Sequence, residues 1–181
     1  DEARLRQFCE YHQIKAYESL DEVLRDESVA IVANLTNPES HFEISKAALL
    51  AKKHVYSEKP LALSYREASD LISFAENRHM TICSAPANAL SDAHALVTAN
   101  LGRIGAPRLV YAEMEDGPVF REKWQTWKSK SGAKWPGMHE FEVGCTLEHA
   151  GYALSWLVSL FGQVTEVTSF SALTFPDKGE G

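Results

Sequence analysis

A chain of 181 residues, 45% hydrophobic and 24% charged, has enough apolar material to bury a core and the balance of a globular protein. It holds no uncharged apolar run near the ~20 residues a membrane-spanning helix needs. With 25 acidic and 18 basic residues it carries a net charge of −7, the wrong sign for a protein whose main partner is a phosphate backbone, so neither membrane nor nucleic acid is expected as a partner.

Residues 3–12 place charged and aromatic side chains in a helix-like pattern, and 14–17 form a short apolar stretch expected to be a strand. Ser19-Leu20-Asp21-Glu22 has capping-box spacing, so a brief helix to Arg25 follows. Residues 29–35 are nearly continuously apolar, the pattern of a parallel strand covered by helices on both faces. Asn37-Pro38 then starts a helix, with asparagine as the cap and proline in the first turn, and His54-Val55-Tyr56-Ser57 is the next strand. Ser64-Tyr65-Arg66-Glu67 is a second capping box, opening a helix that keeps Ala68, Leu71, Ile72 and Ala75 on one side before the strand at 80–84. Strand and helix alternate with short connections, which makes the fold class α/β with a parallel sheet. A helix over 91–101 ends near Gly102, and 108–115 alternates like a strand. Residues 116–137 are irregular and hold Trp124, Trp127 and Trp135 among five basic residues. A long amphipathic helix over 146–161 leads into the strand-like 164–175. Cys9, Cys83 and Cys145 lack CxxC spacing and fit reduced thiols in the cytoplasm.

In an open parallel sheet the ligand crevice lies outside the carboxyl ends of the strands. Three such tips stand out: Thr36-Asn37-Pro38 with His41, then Glu58-Lys59-Pro60, then Ala85-Pro86 with Asn88. Asn37 and His41 sit at a helix start suited to an anion, and Lys59 adds a mobile positive charge. Each has a plain reading as well: Asn37 as a cap, His41 as a first-turn polar residue, Glu58-Lys59 as a solvated pair. The edge they share is what joins them. Lys59 is the candidate for acid–base work, and its bond to Pro60 is open to either isomer.

Thr36-Asn37-Pro38-Glu39-Ser40-His41, the stretch from Ala48-Leu49 to His54-Val55, and Glu58-Lys59-Pro60-Leu61 resemble the signature of the Gfo/Idh/MocA oxidoreductases. That family includes glucose–fructose oxidoreductase and inositol dehydrogenase. The resemblance runs over residues 3–175. It implies a doubly wound, Rossmann-type domain followed by a domain with an open antiparallel sheet. Residues 1–86 would be part of the first, and 87–181 the start of the second, which serves substrate binding and oligomerisation. It further implies NAD or NADP as cofactor, a sugar, polyol or related carbonyl compound as substrate, and a homo-oligomer. Thr36, Asn37, Pro38, His41, Glu58, Pro60 and Asn88 would lie along the cofactor, with Lys59 between nicotinamide and substrate.

The family's glycine-rich turn precedes this region, yet all ten glycines lie at Gly102 or later. The first strand, that turn and the second strand are therefore expected outside this stretch, and the chain, opening at Asp1, reads as a piece truncated at its start and also at its end. The family's later helix carries Asp-x-Gly-x-His; aligned on Gly151, this chain offers His149-Ala150-Gly151-Tyr152-Ala153. His149 and Tyr152 are then candidate proton carriers beside Lys59, or they pack against the neighbouring sheet. Glu148 is adjacent to His149, but helix neighbours do not face each other. The altered motif leaves a second reading open, an NAD(P)- or sugar-sensing binding protein without turnover. His139-Glu140 has Val143 where a zinc helix has its second histidine, so no metal is expected. The tryptophan segment is expected to pack over the cleft, its rings either facing a sugar or anchoring the loop.

Overall fold

The computed structural model describes residues 2–177. Helices α1 (Glu2–His12) and α2 (Leu20–Arg25) precede three short strands, β1 (Ile31–Asn34), β2 (His54–Ser57) and β3 (Ile82–Ser84), which are parallel and lie side by side in chain order. They are joined by α3 (His41–Leu50) and α4 (Tyr65–Asn77), giving the Rossmann-type alternation. The ladder pairs Asn34 with Ser57 and Ser57 with Ser84, so all three carboxyl ends reach one edge. Both capping serines act as the spacing predicts: Ser19 Oγ accepts from Glu22 N and Ser64 Oγ from Glu67 N, each at 3.2 Å. The Glu22 carboxylate reaches back one residue further than the box requires, to Glu18 N at 2.7 Å.

The core is built from Val32, Val55, Ala48, Leu49, Leu71 and Ala75, where α3 and α4 pack on each other and on the sheet. Burial alternates along β1 and β2: Val32 and Asn34 are inside while Ile31 is 62% exposed. The expectation of helices on both faces is corrected accordingly, because α3 and α4 both cover the face that Val32 and Val55 present.

Three further expectations for strands are not met. Residues 14–17 are irregular and Ile14 is exposed; 108–115 and 164–175 also run without ladder bonds, with Tyr111, Val167 and Phe170 in solvent. Alternation marks a segment that fits a sheet, but only a hydrogen-bonded neighbour makes it a strand. The antiparallel pairing present among the described residues is one bridge between Lys128 and Lys134.

Helix α5 (Asp92–Asn100) continues as a 3-10 turn over Leu101–Ile104 and stops at Gly105, beyond the Gly102 expected to end it. Helices α6 (Gly137–Val143) and α7 (Cys145–Phe161) meet at Gly144, whose φ of +84° lets the chain turn while its N–H donates to Glu140 O. Upstream, Trp124, Trp135 and Phe141 stack edge-on with centroids 5.3–6.1 Å apart. Trp124 is buried, and a β-carbon at Gly137 would lie 2.5 Å from its Cε3. Of the two roles open to the tryptophans, the structure shows the anchoring one, since these rings pack on each other. Among the described residues no helix is long and apolar enough to cross a membrane.

Candidate active site

The edge formed by the three strand ends is organised from below by Asn34, 1% exposed at the end of β1. Its Nδ2 donates to His41 O at 3.1 Å and Ser45 Oγ at 3.0 Å, and its Oδ1 accepts from Thr36 Oγ1 at 2.7 Å. A buried amide with all these partners costs little to bury and sets the turn that carries Thr36, Asn37 and Pro38. Glu58 N donates to Asn34 O and Ala85 N to Ser57 O, both at 2.9 Å, so the second and third tips are tied into the same edge. Asn37, Glu58, Lys59 and Asn88 thus follow strands that end together.

His41 does not face this edge as a ligand. It is 1% exposed, with Nδ1 2.6 Å from Pro60 O and Nε2 2.9 Å from Thr36 O. The ring lies between the Thr36 and Pro60 carbonyls, one of which accepts its N–H, and so sits behind the first two tips with its side chain turned inward. Asn37 is corrected as a side-chain cap. Pro38–Ser40 forms a 3-10 turn before α3, and the Asn37 side chain makes no cap bond. Pro38 is buried beneath the turn, the Lys59–Pro60 and Ala85–Pro86 bonds are cis, and Glu58 Oε2 accepts from Lys59 N at 2.8 Å.

Lys59 leaves the β2 tip toward α7, where its Nζ contacts Glu148 Oε1; Glu140 Oε2 on α6 is 3.9 Å away and the Tyr152 ring centroid 6.0 Å. The other Glu148 oxygen contacts His149 Nδ1, so one buried carboxylate bridges the lysine and the imidazole. As helix neighbours Glu148 and His149 need not face each other, yet the Glu148 carboxylate contacts the imidazole of His149. The rings of His149 and Tyr152 lie 5.9 Å apart, and both are partly open to solvent. Asn88 is committed elsewhere. Its Nδ2 donates to Tyr152 O and its carbonyl accepts from Trp156 Nε1, both at 3.0 Å, pinning α7 to the β3 tip. Beyond β1, His139 Nδ1 donates to Glu39 Oε1 at 2.7 Å, and this bond, first among the causes, holds the Glu39 carboxyl below the usual range.

Asn34 is not among the residues the sequence singles out, and Glu140 and Glu148 enter there only as neighbours of His139 and His149. The signal for Glu148 was present: Glu148 and Tyr152 are four apart, the spacing of acid and imidazole in Asp-x-Gly-x-His, one register step from the alignment on Gly151. For Asn34 the signal was a polar residue closing an apolar run.

Residues 1–85 match the Gfo/Idh/MocA family, described as an oxidoreductase family with an NAD-binding Rossmann fold. An uncharacterized oxidoreductase of Schizosaccharomyces pombe is 40% identical over 72 residues, which cover 40% of this chain and 20% of that protein. The inositol 2-dehydrogenase/D-chiro-inositol 3-dehydrogenase of Lactiplantibacillus plantarum is 41% identical over 56 residues, 31% of this chain and 16% of that protein. The crystal structure of biliverdin reductase from Synechocystis sp. PCC 6803, in complex with biliverdin and NADP+, matches with a TM-score of 0.64 at 25% identity, over 92% of this chain and 49% of that one. The match spans about a fifth of the length of the uncharacterized oxidoreductases of Schizosaccharomyces pombe and Escherichia coli that it resembles.

Proposed function

We propose that the protein carrying this chain is an NAD(P)-dependent oxidoreductase acting on a sugar, polyol or related carbonyl compound, with residues 1–86 on the cofactor side and 87–181 on the side of substrate and subunit contacts. The observation that supports this best is the placement of Lys59 at the tip of β2, held by Glu148 and next to His149 and Tyr152. This is the edge where open parallel sheets bind their ligands.

A bound nicotinamide supplies or accepts the hydride. The residues present fit its reacting end: Thr36, Asn37, Glu58 and Lys59 stand on the shared edge. A backbone cradle for the pyrophosphate is not built from residues 1–101, which contain no glycine. The chain's own groups handle the proton. The Lys59 ammonium donates a hydrogen bond and then its proton to the reacting oxygen, neutralising the negative charge that develops as a carbonyl is reduced. His149, joined to Lys59 through Glu148 and partly exposed, exchanges the proton with solvent. Tyr152 offers a hydroxyl on the same helix face as Glu148. His41 and Asn88 act from behind, the first joining two tips and the second fixing α7. Free thiols at Cys9, Cys83 and Cys145 support placing the protein in the reducing cytoplasm.

The binding-protein reading rests on the replaced aspartate and histidine of the motif; Glu148 supplies a carboxylate one position earlier, and Tyr152 stands four residues on where the imidazole would be. Full-length protein, titrated with NADH and NADPH by nucleotide fluorescence and then assayed with polyols, aldoses and the corresponding ketones, separates the two. Oxidoreduction of a member of the panel is expected. Micromolar nucleotide binding without turnover on any of them would favour the sensor.

A further inference from the structure

Glu140 has no task in the reaction as described. Its Oε2 is buried, lacks a hydrogen-bond partner and sits 3.9 Å from Lys59 Nζ. An unpartnered carboxylate oxygen away from water is costly, and the ammonium beside it has donors to give. Lys59 carries three N–H groups, of which one goes to Glu148. A small rotation of the lysine stem brings a second within hydrogen-bond range of Glu140, because 3.9 Å exceeds an N–H···O bond by about 1 Å. One N–H then remains, aimed away from both carboxylates.

We propose that Glu140 is a positioning residue: by taking the second N–H of Lys59 it directs the third at the reacting oxygen. This rests on the role given to Lys59 above.

Helix α6 is built to hold Glu140 in place. Gly137 fits against the rings of Trp124 and Trp135, Phe141 joins the same cluster, and Gly144 turns the chain into α7. The neighbouring residue, His139, reaches Glu39 in the turn after β1. Consecutive residues on α6 therefore address the first and second strand tips, His139 bonding Glu39 and Glu140 facing Lys59. The charged groups around Lys59 are Glu148 from α7, Glu140 from α6 and Glu58 in its own loop, with the Tyr152 ring nearby and His149 one step beyond through Glu148.

The test compares wild type, Lys59→Met, Glu140→Gln, Glu140→Asp and His139→Gln in the full-length protein, measuring kcat, KM for both substrates, the pH dependence of kcat/KM and the melting temperature. Glu140→Gln is expected to lower kcat about 10-fold with the nucleotide KM unchanged. Removing one of the two carboxylates beside the ammonium should move the alkaline limb of kcat/KM down. Glu140→Asp, which keeps the charge, should recover part of both changes, and His139→Gln should shift both the same way by less. A Glu140→Gln protein with wild-type kcat and pH profile, beside a Lys59→Met protein that has lost turnover, overturns the proposal and leaves the role of Lys59 standing. Loss of kcat with an unmoved profile and no recovery in Glu140→Asp overturns it too, as damage to the fold alone. If Glu140→Gln melts early, His139→Gln, altered at a half-exposed pair, carries the same decision. Wild-type turnover in Lys59→Met removes both proposals together.

Discussion

Asn34 is the residue whose loss should disturb the sheet edge most for the fewest atoms removed. Truncation to alanine deletes four side-chain hydrogen bonds, to His41 O, Ser45 Oγ, Thr36 Oγ1 and Thr36 N, at 2.7–3.4 Å. Each of the three shorter bonds is worth about 1 kcal/mol net, and leaving the buried Ser45 hydroxyl without its Asn34 donor adds to that, so Asn34→Ala should lose about 3–4 kcal/mol. In a protein of this size that corresponds to a fall of about 6–16 °C in Tm. Far-UV circular dichroism during thermal and urea unfolding measures both, and an unchanged urea m-value shows that the folded and unfolded states remain comparable. Nucleotide affinity should fall as well, since the turn bearing Thr36 and Asn37 loses its support. A loss below about 1 kcal/mol would refute the reasoning, because it would mean that the amide is not the hub of this turn.

Asp26 carries a second prediction: bonds from the Ser28 hydroxyl, then from Tyr17 and Ser28 N, lower its pKa from 3.8 to about 2. A depressed folded-state value contributes stability that is present above pH 4 and is lost as pH falls toward 2, so urea stability should decline over that window, and less steeply in Asp26→Asn. Strand β1 pairs on one side among the described residues, with Ile31 62% and Leu35 65% exposed, and the isolated 181-residue chain should self-associate. A single monomeric species in sedimentation velocity at high concentration would contradict that. His149→Ala and Tyr152→Phe decide who shares the proton with Lys59. The true carrier should lose about 10²- to 10⁴-fold in kcat, and less than about 10-fold for both would assign the pair to packing.

The α/β order and the shared edge were legible because they rest on local signals. The two capping serines, Pro38, and the apolar runs at 31–34 and 54–57 each act within a few residues. What was not legible depends on contacts distant in sequence. His41 looked like a ligand at a helix start, and only the approach of Pro60, 19 residues on, turns it into a clamp between two loops. Asn88 likewise acquires its role from Tyr152 and Trp156, more than 60 residues away. Glu148 was dismissed on helix geometry that holds for side chains projecting straight out, whereas its carboxylate folds back to its neighbour while also reaching Lys59. The strand-like segments 108–115 and 164–175 show the converse, a local pattern with no partner to complete it.

The claim on which the account turns is that Lys59 acts on the reacting oxygen and does not merely sit beside the cofactor. The direct measurement is kcat together with the NADPH and NADH dissociation constants for wild type and Lys59→Met in the full-length protein, where methionine keeps most of the stem and removes the charge. Loss of the charge should lower kcat by about 10²- to 10⁴-fold and change nucleotide affinity by less than about 10-fold. Normal turnover in Lys59→Met would contradict it, and intact turnover with weakened nucleotide binding would reassign the ammonium to a phosphate or ribose contact.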